Sequence, residues 1–143
     1  MVAKYPASAK STSLISQEGT GIPTAPYWKN SGVRIVERLR ERPEPDASAT
    51  ADLLEELSPT GLAVTLAAVR RARELPDLRA ALAQEYGLVL WFASTQPDLL
   101  EGIRAQLIDK DRSPKWRPAT IAELAPDAAE TALAYVPPTP LWS

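Results

Sequence analysis

Few kinds of reactive side chain are available in these 143 residues. There is no His and no Cys. That excludes Ser-His-Asp and Cys-His dyads, thiolate nucleophiles, disulfides, His- or Cys-ligated zinc and imidazole pH switches, and no metal site is expected. Chemistry would have to run on carboxylates, Lys, Tyr or backbone amides. The carboxylates Glu55, Glu56, Glu74, Glu85, Asp98 and Glu101 are scattered along the chain. Glu101 is the one candidate for a catalytic acid or base. With Asp98, however, it falls early on a short helix, where negative charge complements the helix dipole. The expected catalytic set is therefore empty. Lys110, Arg112 and Lys115 form a basic group interleaved with Asp109 and Asp111. By itself this reads as a solvated loop with local ion pairing worth roughly 0–1 kcal/mol. Gly19-Thr-Gly21 hints at phosphate binding but lacks a flanking strand and a Gly-Lys-Ser/Thr ending, so a plain turn is expected there.

The elements that carry these groups follow from composition. Sixteen basic and eighteen acidic residues leave a net charge of −2, which argues against nucleic acid as a partner. The 45% hydrophobic and 24% charged shares are those of one modest globular domain. Pro occurs 14 times, Ala 23 times and Gly only 6 times. Ala is the best helix former and Pro opens helices or sits between them, so short Ala-rich helices punctuated by Pro are expected, with no sheet. No stretch approaches the roughly 18–20 apolar residues of a membrane span. No signal-type apolar run follows Lys4 and Lys10. A cytoplasmic protein with no membrane partner is expected.

Residues 1–32 read as a poorly ordered arm, with Tyr27 and Trp28 able to tuck against the later core. Helices then follow in series. Ile35, Val36 and Leu39 form one apolar face that Pro43 ends. Asp46 is the expected N-cap of a second helix with Leu53, Leu54 and Leu57 inward. Ser58-Pro59 opens a third carrying Leu62, Leu66 and Val69, with Arg70, Arg71 and Arg73 exposed at its end. Pro76-Asp77 opens a fourth whose stripe is Leu78, Leu82, Tyr86, Val89 and Leu90. The fifth begins at Thr95 or Gln96 and buries Leu99, Leu100, Ile103 and Leu107. Thr120-Ile-Ala-Glu123 is a capping box for a sixth, and Pro126-Asp127 starts a seventh reaching Ala134. The expected fold is all-α: six to seven short amphipathic helices over residues 33–134, mostly in a single layer, with a Pro-rich tail at 135–143. Helices shorter than about 12–15 residues are marginal alone, so they need a surface to cover.

The segment Glu101 to Thr120, EGIRAQLIDKDRSPKWRPAT, carries a resemblance. It is similar to the C-terminal signature of the 3-hydroxyisobutyryl-CoA hydrolases, a branch of the enoyl-CoA hydratase/isomerase (crotonase) superfamily. Asp98, Glu101, Gly102, Arg104 and Ala105 match its Asp-x-x-Glu-Gly-x-Arg-Ala helix. Asp109-Lys110-Asp111 and Pro114-Lys115-Trp116 with Pro118 match the runs that follow. SPTGLAVTLAAVRRARELPDL and QEYGL resemble upstream family segments, so the likeness extends over Ala51 to Leu124. Gly87 departs from the family's usual Arg, and Pro97-Asp98-Leu99 from its His-Asp-Phe; both read as relaxed constraint or divergence. Nothing before Ser31 resembles the family.

What the resemblance implies is acyl-CoA thioester hydrolysis in valine breakdown, with coenzyme A as part of the substrate and no cofactor. One of Lys110, Arg112 and Lys115 would contact the CoA phosphates. Trp116, its ring under the Lys115 and Arg117 stems, and Tyr86 read as core residues. The crotonase β-spiral core, which in the family supplies the oxyanion hole, is not expected in this chain, so a truncated, split or frame-disrupted gene and an inactive product are expected. The alternatives are a non-catalytic helical module that docks on a separate crotonase core or self-associates, and a fragment of another hydratase or isomerase. An exposed apolar face, with self-association or poor solubility, follows from any of these.

Overall fold

A computed structural model describes residues 27–142, with side chains from residue 34 onward. The turn at Gly19–Gly21 and the side chains of Tyr27 and Trp28 lie outside the described part. Within it there are six α-helices and no strand: α1 Tyr27–Arg40, α2 Pro45–Glu56, α3 Pro59–Ala72, α4 Leu78–Thr95, α5 Pro97–Ile103 and α6 Ala128–Leu133. A single π turn, Arg104–Ile108, continues α5, and a 3-10 turn covers Ile121–Glu123. The fold is all-α, as the Ala and Pro pattern predicts. The first helix begins at Tyr27, inside the stretch expected to belong to the arm.

Local signals set several boundaries. The Ser58 hydroxyl accepts the Gly61 N–H at 2.9 Å, and Asp77 accepts the Ala80 N–H at 2.8 Å, each satisfying a donor the first helical turn leaves unpaired. Two expected caps differ. Helix α2 starts at Pro45 after Glu44 with no side-chain cap, since the ring at Pro45 presets the helical φ and needs no donor partner. Asp46 therefore falls inside the first turn. Thr120 makes no capping bond; Glu123 reaches back one residue further, to the Ala119 N–H, and only a 3-10 turn forms. The last helix starts at Ala128 and ends at Leu133, one residue short of Ala134.

Helix α3 is central, packing against α6 on one side and α1 on another, while α4 packs on α5 and α6. One core cluster joins Val64, Ala68, Leu88, Trp91 and Ala132, with Phe92, Leu133 and Tyr135 against it. A second joins Ala63, Leu124 and Ala129. The buried side chains are small. Seven of the eleven buried hydrophobic residues are Ala, while fifteen large hydrophobic residues are exposed among the described ones.

That inversion corrects the expected inward faces. On α4 the residues turned inward are Gly87, Leu88 and Trp91. The stripe of Leu78, Leu82 and Val89 faces outward, with Leu78 72% and Val89 62% exposed. The helix is apolar on both sides, and the small residues of α3 and α6 admit the face that carries glycine. On α5 the buried residue is Asp98, followed in the π turn by Ala105. Leu99, Leu100, Ile103 and Leu107 are exposed, as are Leu53, Leu57 and Val69. Gly87 itself has a packing role. A Cβ there would lie 3.7 Å from the Tyr135 carbonyl oxygen and 3.8 Å from Pro137, so the segment after α6 returns across this position at ordinary contact distance.

Trp91→Ala is expected to cost about 3–5 kcal/mol by emptying the core, whereas Val89→Ser is expected to change stability by no more than about 0.5 kcal/mol. Urea midpoints at constant m-value check the contrast, and the reverse order would put the other face of α4 inside.

Candidate functional site

The residues that match the hydrolase-branch signature converge on one guanidinium. Arg104 begins the π turn and is bound on both of its edges. Nε donates to Glu101 Oε2 at 2.9 Å and Nη2 to Glu101 Oε1 at 2.8 Å, a bidentate pair one helical turn apart. Nη1 donates to Asp109 Oδ2 at 2.6 Å and to Asp111 Oδ2 at 2.7 Å, and Nη2 also reaches the Ser113 carbonyl at 3.3 Å. A planar guanidinium with five donors is the side chain suited to this fork. The π turn widens the helix here. Its closing bond, Asp109 N–H to the Arg104 carbonyl at 2.8 Å, ends α5 and turns the chain back toward that carbonyl's own side chain.

Two carboxylates then catch the returning loop by its backbone. Glu101 Oε1 accepts the Lys115 N–H at 2.7 Å, and Asp98 Oδ1 accepts the Arg117 N–H at 3.0 Å. Asp98 is buried and is also hydrogen-bonded by the Ser58 hydroxyl, which ties the loop to the start of α3. Trp116, between the two caught amides, lays its ring edge over Gly102, 3.4 Å from where a Cβ would stand, and donates Nε1–H to the Glu56 carbonyl at 2.9 Å. Its ring therefore bridges α5 and the end of α2 rather than lying under the Lys115 and Arg117 stems. The pairing of Glu101 with Arg104, and then the Lys115 N–H, holds its carboxyl down at about 2. Arg104, and then the Ser113 N–H, lowers Asp111. The three carboxylates in turn raise Arg104 above its already high value. Glu101 is a loop anchor, neither a poised acid–base group nor simply a dipole partner.

Lys110, Arg112 and Lys115 are all exposed on this loop. Lys110 has φ 57° and Arg112 φ 53°, left-handed conformations that cost a non-glycine residue about 1–3 kcal/mol each and persist only where the surroundings impose them. Here the constraint is visible: Asp109 and Asp111 are pinned on Arg104, and the Arg112 N–H is held by the Ala105 carbonyl at 3.1 Å. The expected local pairing of Asp109 and Asp111 with the basic group is thus replaced by pairing with Arg104. Among the described residues, none of the three basic side chains forms an ion pair. Arg104 is the functional residue that sequence reasoning missed. The signal for it was present, as one Arg within seven residues of Glu101, Asp109 and Asp111.

Beside the loop, an apolar groove of about 660 Å³ lies among α1, α2 and α3, walled by Leu54, Leu57, Leu62, Leu66, Val69 and Trp116. No titratable side chain lines it. Among the described residues no group of acidic side chains is arranged to hold a metal, and no helix is long and apolar enough to cross a membrane.

This geometry and its motifs place the chain in a class. It belongs to the enoyl-CoA hydratase/isomerase family, whose pattern residues 4–133 match. The match begins well before Ala51 and includes the stretch expected to lie outside the resemblance. Within the family, the chain is 33% identical over 125 residues to the mitochondrial 3-hydroxyisobutyryl-CoA hydrolase of Dictyostelium discoideum, covering 87% of this chain and 32% of that one. It is 35% identical over 99 residues to the Gallus gallus protein of the same name, covering 69% and 25%. A crystal structure of a carnitinyl-CoA dehydratase from Mycobacterium thermoresistibile superposes with a TM-score of 0.67 at 38% identity, over 83% of this chain and 37% of that one. The chain spans about a third or less of the curated relatives' length (32% and 25%).

A depressed carboxyl pKa stabilises the fold above the unfolded value, and that contribution is lost as pH falls toward the folded one. Resistance to urea is therefore expected to drop as pH falls from about 4.5 toward about 2. Glu101→Gln should lack part of that acid dependence while remaining less stable than the parent at pH 7. Equal acid slopes for the two proteins would contradict the assignment.

Proposed function

We propose that these residues form the C-terminal helical region of a protein of the 3-hydroxyisobutyryl-CoA hydrolase type, a thioesterase of valine breakdown, and that by themselves they do not turn its substrate over. Hydrolysing a thioester takes donors aimed at the developing oxyanion and a group that activates water or carries the acyl chain. The observation that carries the reading is the Arg104 clamp. It is built from the residues of the hydrolase-branch signature, and it commits Glu101 to holding a loop rather than to chemistry. The large apolar groove supports the same conclusion, since it has no acid or base in its walls. Coenzyme A enters as part of the substrate. Lys110, Arg112 and Lys115 are the residues assigned to its phosphates.

A second reading treats the chain as a non-catalytic module that covers a crotonase core supplied separately, or another copy of itself. The outward Leu and Ile of α4 and α5 favour it. A third keeps the family but changes the acyl group, and the dehydratase named above supports it. The compartment assigned to this chain is the cytoplasm, although the hydrolases compared above are called mitochondrial.

The test is turnover. The purified chain is expected to leave 3-hydroxyisobutyryl-CoA unhydrolysed above the uncatalysed rate, and to restore hydrolysis when mixed with a crotonase core lacking its own C-terminal helices. Turnover by the chain alone would end the claim of inactivity. Restored activity toward a different acyl-CoA would favour the third reading.

A further inference from the structure

Charges on the 109–115 loop are sorted by sign. The two carboxylates, at 109 and 111, are drawn onto Arg104 at 2.6 and 2.7 Å. The cations at 110 and 112 alternate with them in sequence, and both have left-handed φ, held there while the carboxylates on either side of Lys110 are bound to Arg104. Lys115 is held by its backbone on Glu101 and lies near enough to Asp111 to help lower that carboxyl, after Arg104 and the Ser113 N–H. In a loop of the same composition without Arg104, the nearest partners for Asp109 and Asp111 would be Lys110, Arg112 and Lys115 themselves. An anion would then meet a loop already neutralised.

We propose that Arg104 is a positioning residue: by occupying Asp109 and Asp111 it keeps Lys110, Arg112 and Lys115 open to an external anion carrying clustered phosphates, the chemistry at the nucleotide end of a coenzyme A thioester. The proposal rests on the assignment of that thioester to this loop made above. What is added is the role of Arg104 in keeping those cations free of Asp109 and Asp111. Lys recognises phosphate as a point charge, and Arg adds a bidentate fork. What the fold must supply is the removal of competing carboxylates, and Arg104 does this while also holding the loop to α5.

The test uses the full ¹⁵N-labelled chain and follows the amides of the 109–115 loop during titration with coenzyme A, pyrophosphate and pantetheine. Coenzyme A and pyrophosphate are expected to shift these amides and pantetheine to leave them unchanged. Arg104→Gln is expected to weaken both phosphate ligands about tenfold or more, because the freed carboxylates turn onto the cations. Adding Asp109→Asn and Asp111→Asn to Arg104→Gln should restore binding, which a purely structural role for Arg104 would not produce. With Arg104 intact, Asp109→Asn with Asp111→Asn should bind at least as tightly as the parent, and this variant keeps the test valid if Arg104→Gln unfolds. Undiminished binding in a folded Arg104→Gln, absence of rescue in a folded triple variant, or weaker binding in the double variant would overturn the proposal. A response to pyrophosphate without one to coenzyme A would spare the loop inference and sink the assignment of the thioester. No response to either would sink both.

Discussion

Helices that meet through alanine come close together, and that closeness governs the rest of the molecule. Ala63, Ala68, Ala129 and Ala132 bring α3 and α6 into contact, and the larger core residues Leu88, Trp91 and Leu124 pack against them. Many of the other leucines and isoleucines stand on the outer faces. Most of these helices are no longer than the roughly 12–15 residues that are marginal in isolation, so they rely on packing against one another. An apolar exterior is the direct consequence of how the interior is filled.

Where small side chains cannot provide enough contact, hydrogen bonds to backbone do. Asp98 and Glu101, one turn apart on α5, hold the amides of Arg117 and Lys115, and Trp116 between them spans to the end of α2. The signature segment is thus a fastening between α5 and the α2–α3 corner. Family resemblance and physical role coincide here, since the matching residues are those that fasten. Glu101 is a poor candidate for proton transfer, because its charge is already committed to Arg104 and to the Lys115 N–H.

Much of the architecture was legible in the sequence. Ser58-Pro59, Asp77 and Pro97 mark helix starts that form as read, and the Ala and Pro content set the class. The side that each helix turns inward was less legible. On α4 the periodic residues Leu78, Leu82 and Val89 make as good a stripe as Gly87, Leu88 and Trp91, and periodicity reports only that a face is apolar. Choosing between two such faces depends on the shape of the neighbour, and Val64, Ala68 and Ala132 on α3 and α6 receive Leu88 and Trp91. Gly87 shows the same limit, since only the structure reveals that the segment after α6 lies across it.

Residue types alone determined that no imidazole or thiol chemistry operates in this chain, that it folds into short helices, and that a charged loop follows the fifth of them. Spacing, with the family likeness, marked the residues from Asp98 to Trp116 as a unit. Only the tertiary structure decided what the unit does. Asp109 and Asp111 had three basic neighbours in the chain, and a fourth, Arg104, on the helix behind them. Sequence proximity favours the neighbours, but a guanidinium already oriented by Glu101 presents its free edge to both carboxylates at once, and the turn at the end of α5 delivers them to it.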